Sequence, residues 1–278
     1  IAMVVILGLS YVFRTRLGLY GRLFGSPIGM VGLVLVLFWV LTAIFADIII
    51  KFDPLDQLSG MKNKKPGWPV RDVAGAYYLL GGDNLARDIF SRVVMGSRTV
   101  LSVAPVATIF AFMVGITLGL PAGYFGQRLD TVLSFIANGV LAFPVILLFF
   151  LLVTPEIRST GVPLALAGVL FLFPIIFLLL LFTARYRERP TTLAAYLGVI
   201  LVIGLWAYSG LAFNADPLGI LYMDPNLLNI FVSVVFVNSP TVFRIVRGLT
   251  IDIKTRDYVA AAQTRGERPW YIMLWEIL

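Results

Sequence analysis

The chain contains neither cysteine nor histidine. Thiolate nucleophiles, histidine-ligated haem, Cys/His zinc sites and histidine proton relays are therefore excluded together. What remains for chemistry is acid and base, 22 Lys and Arg against 15 Asp and Glu for a net charge of +7. These groups gather in a few places. One is residues 81–101, GGDNLARDIFSRVVMGSRTVL, and another is residues 258–278, YVAAAQTRGERPWYIMLWEIL. No Gly-x-x-x-x-Gly-Lys-Ser/Thr phosphate loop is present, so ATP cannot be held in that manner. No His-Glu-x-x-His or Gly-x-Ser-x-Gly motif occurs either. The expectation is a non-enzymatic chain with no catalytic, cofactor-binding or metal residues. Ionisable groups are almost missing from the apolar runs, which weighs against proton or ion coupling. Asp47, Arg244 and Arg247 fall at the ends of those runs, where their charged heads can snorkel to the interface.

The elements that carry these groups are membrane spans. Hydrophobic residues make up 59% of the chain and charged ones 13%, with a mean hydropathy of +0.93. A soluble domain is about 25% charged, so the class is an all-α polytopic membrane protein. Residues 1–26 read as the tail of an N-terminal span and a linker with Arg14, Arg16 and Arg22. Residues 27–50 are a first span and 51–98 one long polar loop. Residues 99–155 hold two spans, in uncharged runs at 99–127 and 131–155. Residues 156–224 add a helical pair at 160–184 and 191–215, and 225–278 hold a last span at 225–243 and the terminal segment. Arg185, Arg187 and Arg189 crowd one short turn, whereas 214–226 has Asp216 and Asp224 and no Lys or Arg. The positive-inside rule then places 14–22, Arg128, 185–189 and everything after Arg244 inside, with 51–98 and 214–226 outside. The positive excess thus sets topology, and no nucleic-acid partner is expected.

Within 81–101, Asp83 fits an N-cap. Leu85, Ala86, Ile89, Phe90 and Val93 form a helical apolar stripe, and Asp88 and Arg92 are spaced to pair. This predicts an amphipathic helix at the membrane surface. Gly115, Gly119 and Gly123 suit close helix contact. Asn138 and Pro144 in one run, and Asn238 and Pro240 in another, either line a path or, for the asparagines, hydrogen-bond between helices. In 258–278 the alanines favour helix, and Tyr258, Ala261, Ala262 and Arg265 fall on one face. Gly266 can take positive φ to end that helix, and Pro269 fits the first turn of the next. The residues from Trp270 to Trp275 suit a membrane interface. On residue types alone the stretch is either a connector between spans or a docking elbow for a partner.

At this point 258–278 resembles the "EAA" coupling loop of permease subunits in bacterial ATP-binding-cassette (ABC) importers, Glu-Ala-Ala-x-x-x-Gly followed by Ile-Leu-Pro. Ala261, Ala262, Gly266, Ile277 and Leu278 match, while Ala260 stands where the family has Glu. That Glu would lie three residues after Asp257 in a capping box, so the helix start is expected to be weaker. Residues 81–101 resemble a stretch of the dipeptide/oligopeptide permeases through Gly81, Asp83, Arg87, Asp88, Ser91, Arg92, Gly96 and Arg98. Pro121, Ala122, Gly123, Tyr124, Gly126 and Asp130, then Ala142-Phe143-Pro144, follow in the same order. The resemblance covers 20–155 and 225–278, and leaves 160–215 as an inserted helical pair read as peripheral packing.

The resemblance implies a C-type subunit of a type I importer of peptides or a related small solute. Its partners would be a second permease subunit, two cytoplasmic ATPases carrying ATP-Mg, an extracytoplasmic substrate-binding protein and the lipid bilayer. Tyr258, Ala260, Ala261, Ala262, Arg265, Gly266, Ile277 and Leu278 would couple to an ATPase. Asp83, Arg87, Asp88 and Arg92 would face the binding protein. The family pattern would continue past Leu278 with proline and about two further spans. Two other classes compete: a non-transporting membrane scaffold, which would bring no ATPase, and a secondary transporter. The latter would show internal repeats with mid-membrane ionisable residues, and no such pair is seen.

Overall fold

The computed structural model describes residues 2–70, 73, 75–221 and 223–278. Arg71 and Asp72 of the long polar loop lie outside the described residues. Two compact units form, residues 1–103 and 104–278. Among the described residues, five helices are long and apolar enough to cross a membrane, or six if one bent pair counts as a span. The all-α polytopic class is thus observed.

In the first unit, α1 (Ala2–Val12) and a short helix (Gly18–Arg22) precede α2 (Pro27–Ile44). Ser26 caps α2, its hydroxyl accepting from the Gly29 N–H at 3.3 Å, with Pro27 in the first turn where its missing N–H costs nothing. The polar lobe that follows has its own core of Met61, Val70 and Tyr78. The Tyr78 hydroxyl donates to the Ala86 carbonyl at 3.1 Å. A minimal antiparallel ribbon, β1 (Trp68–Pro69) with β2 (Tyr77–Tyr78), crosses this lobe.

The helix expected from Asp83 begins later. α3 runs Ile89–Phe125. Asp83 instead closes a turn, its Oδ1 accepting from the N–H groups of Leu85 at 2.8 Å and Arg87 at 2.9 Å. Its Oδ2 takes the Arg87 Nε at 2.8 Å, and Arg92 approaches at 3.7 Å. Burial acts to raise the Asp83 pKa, but these hydrogen bonds outweigh it and hold the carboxyl below its usual range. Asp88 is the true cap. It is 2% exposed and accepts from the Ser91 N–H at 3.0 Å and hydroxyl at 2.6 Å. The expected Asp88–Arg92 pair is therefore replaced by Asp83–Arg92. Asp47 is paired too: Arg98 reaches it with Nη2–Oδ2 at 2.9 Å and donates from Nε to the Ala43 carbonyl at 3.1 Å, near the open end of α2.

In the second unit the C-terminal part of α3 is followed by α4 (Gln127–Leu141) and α5 (Val145–Val153), which meet at an 83° bend. The run at 131–155, read above as one span, is thus a broken pair, and Pro144 sits at the break, as the N-cap of α5. Then come α6 (Val162–Leu170) and α7 (Leu172–Arg185), together long enough for one span, and α8 (Pro190–Phe213). The Tyr208 hydroxyl ties α8 to α6 through the Gly168 carbonyl at 2.9 Å.

The loop after α8 is knotted by Asp216, whose Oδ2 accepts from the N–H groups of Ile220 at 2.6 Å and Leu221 at 2.7 Å. Its Oδ1 takes the Trp206 indole N–H at 2.6 Å. Burial pushes this carboxyl up, but the hydrogen bonds prevail and lower it to about 2.

α9 (Pro225–Ile253) is the centre of this unit. Its apolar window is 56% buried, against 11% for α8, so α9 is enclosed by the chain's own protein while α8 leaves most of its apolar surface uncovered by it. Asp224 caps it, accepting from the Asn226 N–H at 2.8 Å. The helix continues without a break past Pro240 and the expected end at Phe243. The glycines of α3 allow the backbones to meet. A Cβ on Gly115 would lie 2.5 Å from Val242 Cγ1, and one on Gly123 would lie 2.6 Å from Thr250 Cβ and 2.8 Å from the Arg247 carbonyl oxygen. Phe110, Phe171 and Phe231 close the other end of this packing edge to face, with centroids 5.2–5.5 Å apart.

Candidate coupling elbow

Two cationic side chains of α9 and one at its C-cap, Lys254, prepare the end of the helix layer on which the terminal segment sits. Arg247 grips Asp130 with two hydrogen bonds, Nε to Oδ1 and Nη2 to Oδ2, and Asp130 also accepts from the Ser134 hydroxyl at 3.0 Å. One turn earlier, Arg244 donates to Asn138 Oδ1 at 3.1 Å. Lys254 donates to the carbonyls of Gly123 at 2.8 Å and Tyr124 at 3.4 Å, which are open acceptors at the C-terminus of α3. Arg244 and Arg247 are therefore interhelical ties and do not snorkel. Pairing is the general solution for an ionised group at membrane depth, and a lone Asp130 opposite two lone arginines was the signal for it.

On this platform the terminal segment folds as α10 (Asp257–Thr264), a turn, α11 (Pro269–Tyr271) and a π-helical turn (Ile272–Ile277). Arg256, and not the expected Asp257, stands at the N-cap of α10 and makes no capping hydrogen bond, so Ala260 lies one residue past the position a capping-box acid would take. The C-terminus is well closed. Gly266 takes φ +79°; its N–H donates to the Gln263 carbonyl at 2.9 Å, and the Glu267 N–H donates to the Ala262 carbonyl at 3.2 Å. This is a Schellman motif, whose C′ position favours glycine. Arg265 reaches across the turn to Glu276 at 3.3 Å.

The inner face of the elbow differs from the expected one. Val259 and Ala262 are buried with Ile272 and pack on Tyr124, Ile253 and Ile277. Tyr258, Ala260, Ala261 and Arg265 are exposed. Ala262 thus belongs to the anchoring side. The segment from Trp270 to Trp275 also divides: Ile272, Met273 and Leu274 are buried, while Trp270 and Trp275 stay exposed. Met273 and Leu274 pack with Leu120 of α3 and Ala184 of α7. The Gln263 amide donates to the Tyr124 hydroxyl at 3.2 Å. Ile277 is partly buried and Leu278 exposed.

The segment at 160–215, expected to be an inserted pair, touches the elbow directly. Ala184 and Leu180 of α7 pack on the elbow, the Arg185 guanidinium lies 4.3 Å from the Trp275 ring centroid, and Arg187 reaches Glu267 at 3.8 Å. The pair, expected to pack peripherally, also touches the elbow through its own side chains. An Arg followed by an aromatic-rich segment far along the chain gave no spacing from which this contact could be read.

The other expected site residues are dispersed. Asn138 is engaged by Arg244, Pro144 is exposed at the bend, and Asn238 is exposed and donates to the Val234 carbonyl at 2.7 Å. Pro240 is buried in the α9 packing. Arg87 and Arg92 surround Asp83, and Asp88 is spent on the start of α3.

The spans and the elbow define a multi-pass α-helical membrane protein whose terminal segment is an ordered two-helix elbow. Residues 19–66 match the N-terminal TM domain of oligopeptide transport permease C. The chain is 33% identical over 147 residues to the dipeptide transport system permease protein DppC of Alkalihalophilus pseudofirmus, covering 52% of this chain and 46% of the relative. It is 30% identical over 131 residues to the oligopeptide transport system permease protein OppC of Bacillus subtilis, covering 47% and 40%. It is 27% identical over 199 residues to the glutathione transport system permease protein GsiD of Pectobacterium atrosepticum, covering 72% and 44%. Over about half of its length the chain is thus similar to the permease C proteins of dipeptide and oligopeptide transport systems. It spans about half the length of the curated relatives it matches. The spans, with this similarity, support a multi-pass inner-membrane protein.

Proposed function

We propose that this chain is a translocation-path subunit of an ATP-driven importer of peptides or a related small solute, with 257–278 as the segment that receives force from a cytoplasmic ATPase. The carrying observation is the elbow's two-sidedness. Val259, Ala262, Ile272, Met273 and Leu274 lock it onto α3, α7 and α9, while Tyr258, Ala260, Ala261 and Arg265 are left outward. A push on the outward face would move the elbow and the helix ends as one body, which suits rigid-body switching. The partners of this reading are a second permease subunit, two ATPases holding ATP-Mg and an extracytoplasmic binding protein. Arg87 and Arg92 are the residues offered to the last of these.

Two substitutions test the elbow. Gly266→Pro forces φ to about −65° where +79° is needed, and Ala261→Trp covers the outward face. Both are expected to abolish ATP-driven uptake with normal membrane insertion; normal uptake by both would remove the docking assignment.

The direction of the elbow depends on the bent pair. If α4 and α5 together cross the bilayer, Ser159 is outside and Arg185, Arg187, Arg189 and the elbow are inside, in agreement with the arginine distribution. A Ser159→Cys variant in intact cells should then react with a membrane-impermeant maleimide added from outside. Protection of Ser159→Cys, with labelling only after permeabilisation, would place Ser159 inside and make the pair re-entrant, and it would reverse the proposed side of everything after it, the elbow included.

A further inference from the structure

The turn between α7 and α8 and the elbow enclose a cavity of about 680 Å³. Arg185, Arg187, Arg189 and Arg265 line it, against Glu188 and Glu267. Its cations are incompletely neutralised from within. Arg187 meets Glu267 only at 3.8 Å, and Arg185 is stacked on Trp275 at 4.3 Å, which leaves its in-plane N–H groups free of carboxylate. Arg189 has no ionic partner among the described residues.

The depth of this cavity follows from the chain. Only residues 186–189 separate α7 from α8, and both flanking segments are long and apolar enough to cross a bilayer. So short a turn between two spans cannot leave the headgroup layer. Tyr186 stacks with Phe182 at 5.7 Å and packs on Tyr196 at 4.8 Å, and Trp275 and Tyr271 complete the lining. Aromatic side chains of this kind mark the membrane–water boundary.

We propose that this cavity binds the phosphodiester headgroup of an anionic phospholipid, which bridges the helical pair at 160–215 to the elbow. Guanidinium groups match phosphate with paired N–H donors, and basic pockets between membrane helices are suited to anionic headgroups. The volume lies in the range of small-molecule sites. The inference requires that α7 and α8 cross the bilayer. It requires neither a particular direction of crossing nor the transport reading.

The test is lipid retention by the full chain, extracted in mild detergent and measured by native mass spectrometry with added phosphatidylglycerol or phosphatidylcholine. The wild type should retain phosphatidylglycerol in preference to phosphatidylcholine. Arg185→Gln/Arg187→Gln/Arg189→Gln should lower that retention about tenfold or more, and Lys62→Gln/Lys64→Gln/Lys65→Gln, the same charge change in the polar lobe, should not. Arg189→Gln alone breaks no ion pair of the fold and should lower retention severalfold with an unchanged melting temperature in neutral detergent. Equal retention by the wild type and the arginine variants would overturn the proposal. So would competition by millimolar inorganic phosphate that displaces the lipid completely, which would mark a soluble phosphate site. Loss of ATPase assembly in the arginine variants with phosphatidylglycerol retention unchanged would reassign the arginines to a protein contact and also overturn it.

Discussion

Gly123→Leu should unseat α9 from α3 and lower the melting temperature of the purified chain in detergent by on the order of 10 °C. The reason is contact with backbone. A Cβ at 123 would sit 2.8 Å from the Arg247 carbonyl oxygen and 2.6 Å from Thr250 Cβ, and a helix carbonyl cannot rotate away as a side chain can. Overpacking in a close-packed core costs about 1–3 kcal/mol, and the upper end applies where backbone must move. The site is also where Lys254 closes the end of α3 through the Gly123 carbonyl at 2.8 Å, so displacement would free that carbonyl as well. Gly139→Leu on α4 is the matched control: a Cβ there meets nothing within 4 Å, and its melting temperature should stay within a few degrees of the wild type. Equal behaviour of the two variants would mean that α3 and α9 are not packed through their glycines.

The second large effect is expected at Asp130. Its carboxylate is gripped by two N–H groups of Arg247 and one hydroxyl, between two apolar helices. Asp130→Ala strands the guanidinium of a part-buried pair, its side chains 32% and 18% exposed, and should cost more than the about 0–1 kcal/mol of a surface pair and less than the about 3–5 kcal/mol of a fully buried one. Asp130→Ala/Arg247→Met removes both charges and should recover most of that loss, because an apolar pair of similar volume is tolerated where a lone charge is not. Thermal unfolding of the two variants in the same detergent reads the difference; a double variant less stable than Asp130→Ala would contradict it. The Asp47–Arg98 pair makes the contrast. Its side chains are 67% and 43% exposed, so its removal should cost about 0–1 kcal/mol.

These two predictions rest on features of different legibility. The spans are visible as uncharged runs, because no other composition survives a bilayer. The glycine spacing 115, 119, 123 already pointed to close helix contact, although the partner helix could not be named from it. The start of α3 was misread because Asp83 and Asp88 both precede apolar stripes. Only the fold shows that Asp83 closes a turn against Arg87 while Asp88 is buried as the cap. The 83° break near Pro144 was hidden because a proline in an apolar run is compatible with a straight, kinked or broken span. Gly266 and Pro269 were legible as an elbow because each is tied to one backbone geometry. Which alanine faces inward was not, since Ala260, Ala261 and Ala262 carry the same side chain and only tertiary contact with Tyr124 and Ile272 distinguishes the last of them.

That distinction allows the most direct test of the proposed coupling role. Single cysteines at Ala260, Ala261 and Ala262, each in the assembled transporter with its cognate ATPase, can be probed by short bifunctional cross-linking. The account predicts cross-links to the ATPase from Ala260→Cys and Ala261→Cys that change in yield between ATP-bound and nucleotide-free states. It predicts none from Ala262→Cys, whose position is 0% exposed. An assembled complex in which Ala260→Cys and Ala261→Cys give no cross-link, or in which Ala262→Cys gives as much as they do, would contradict it.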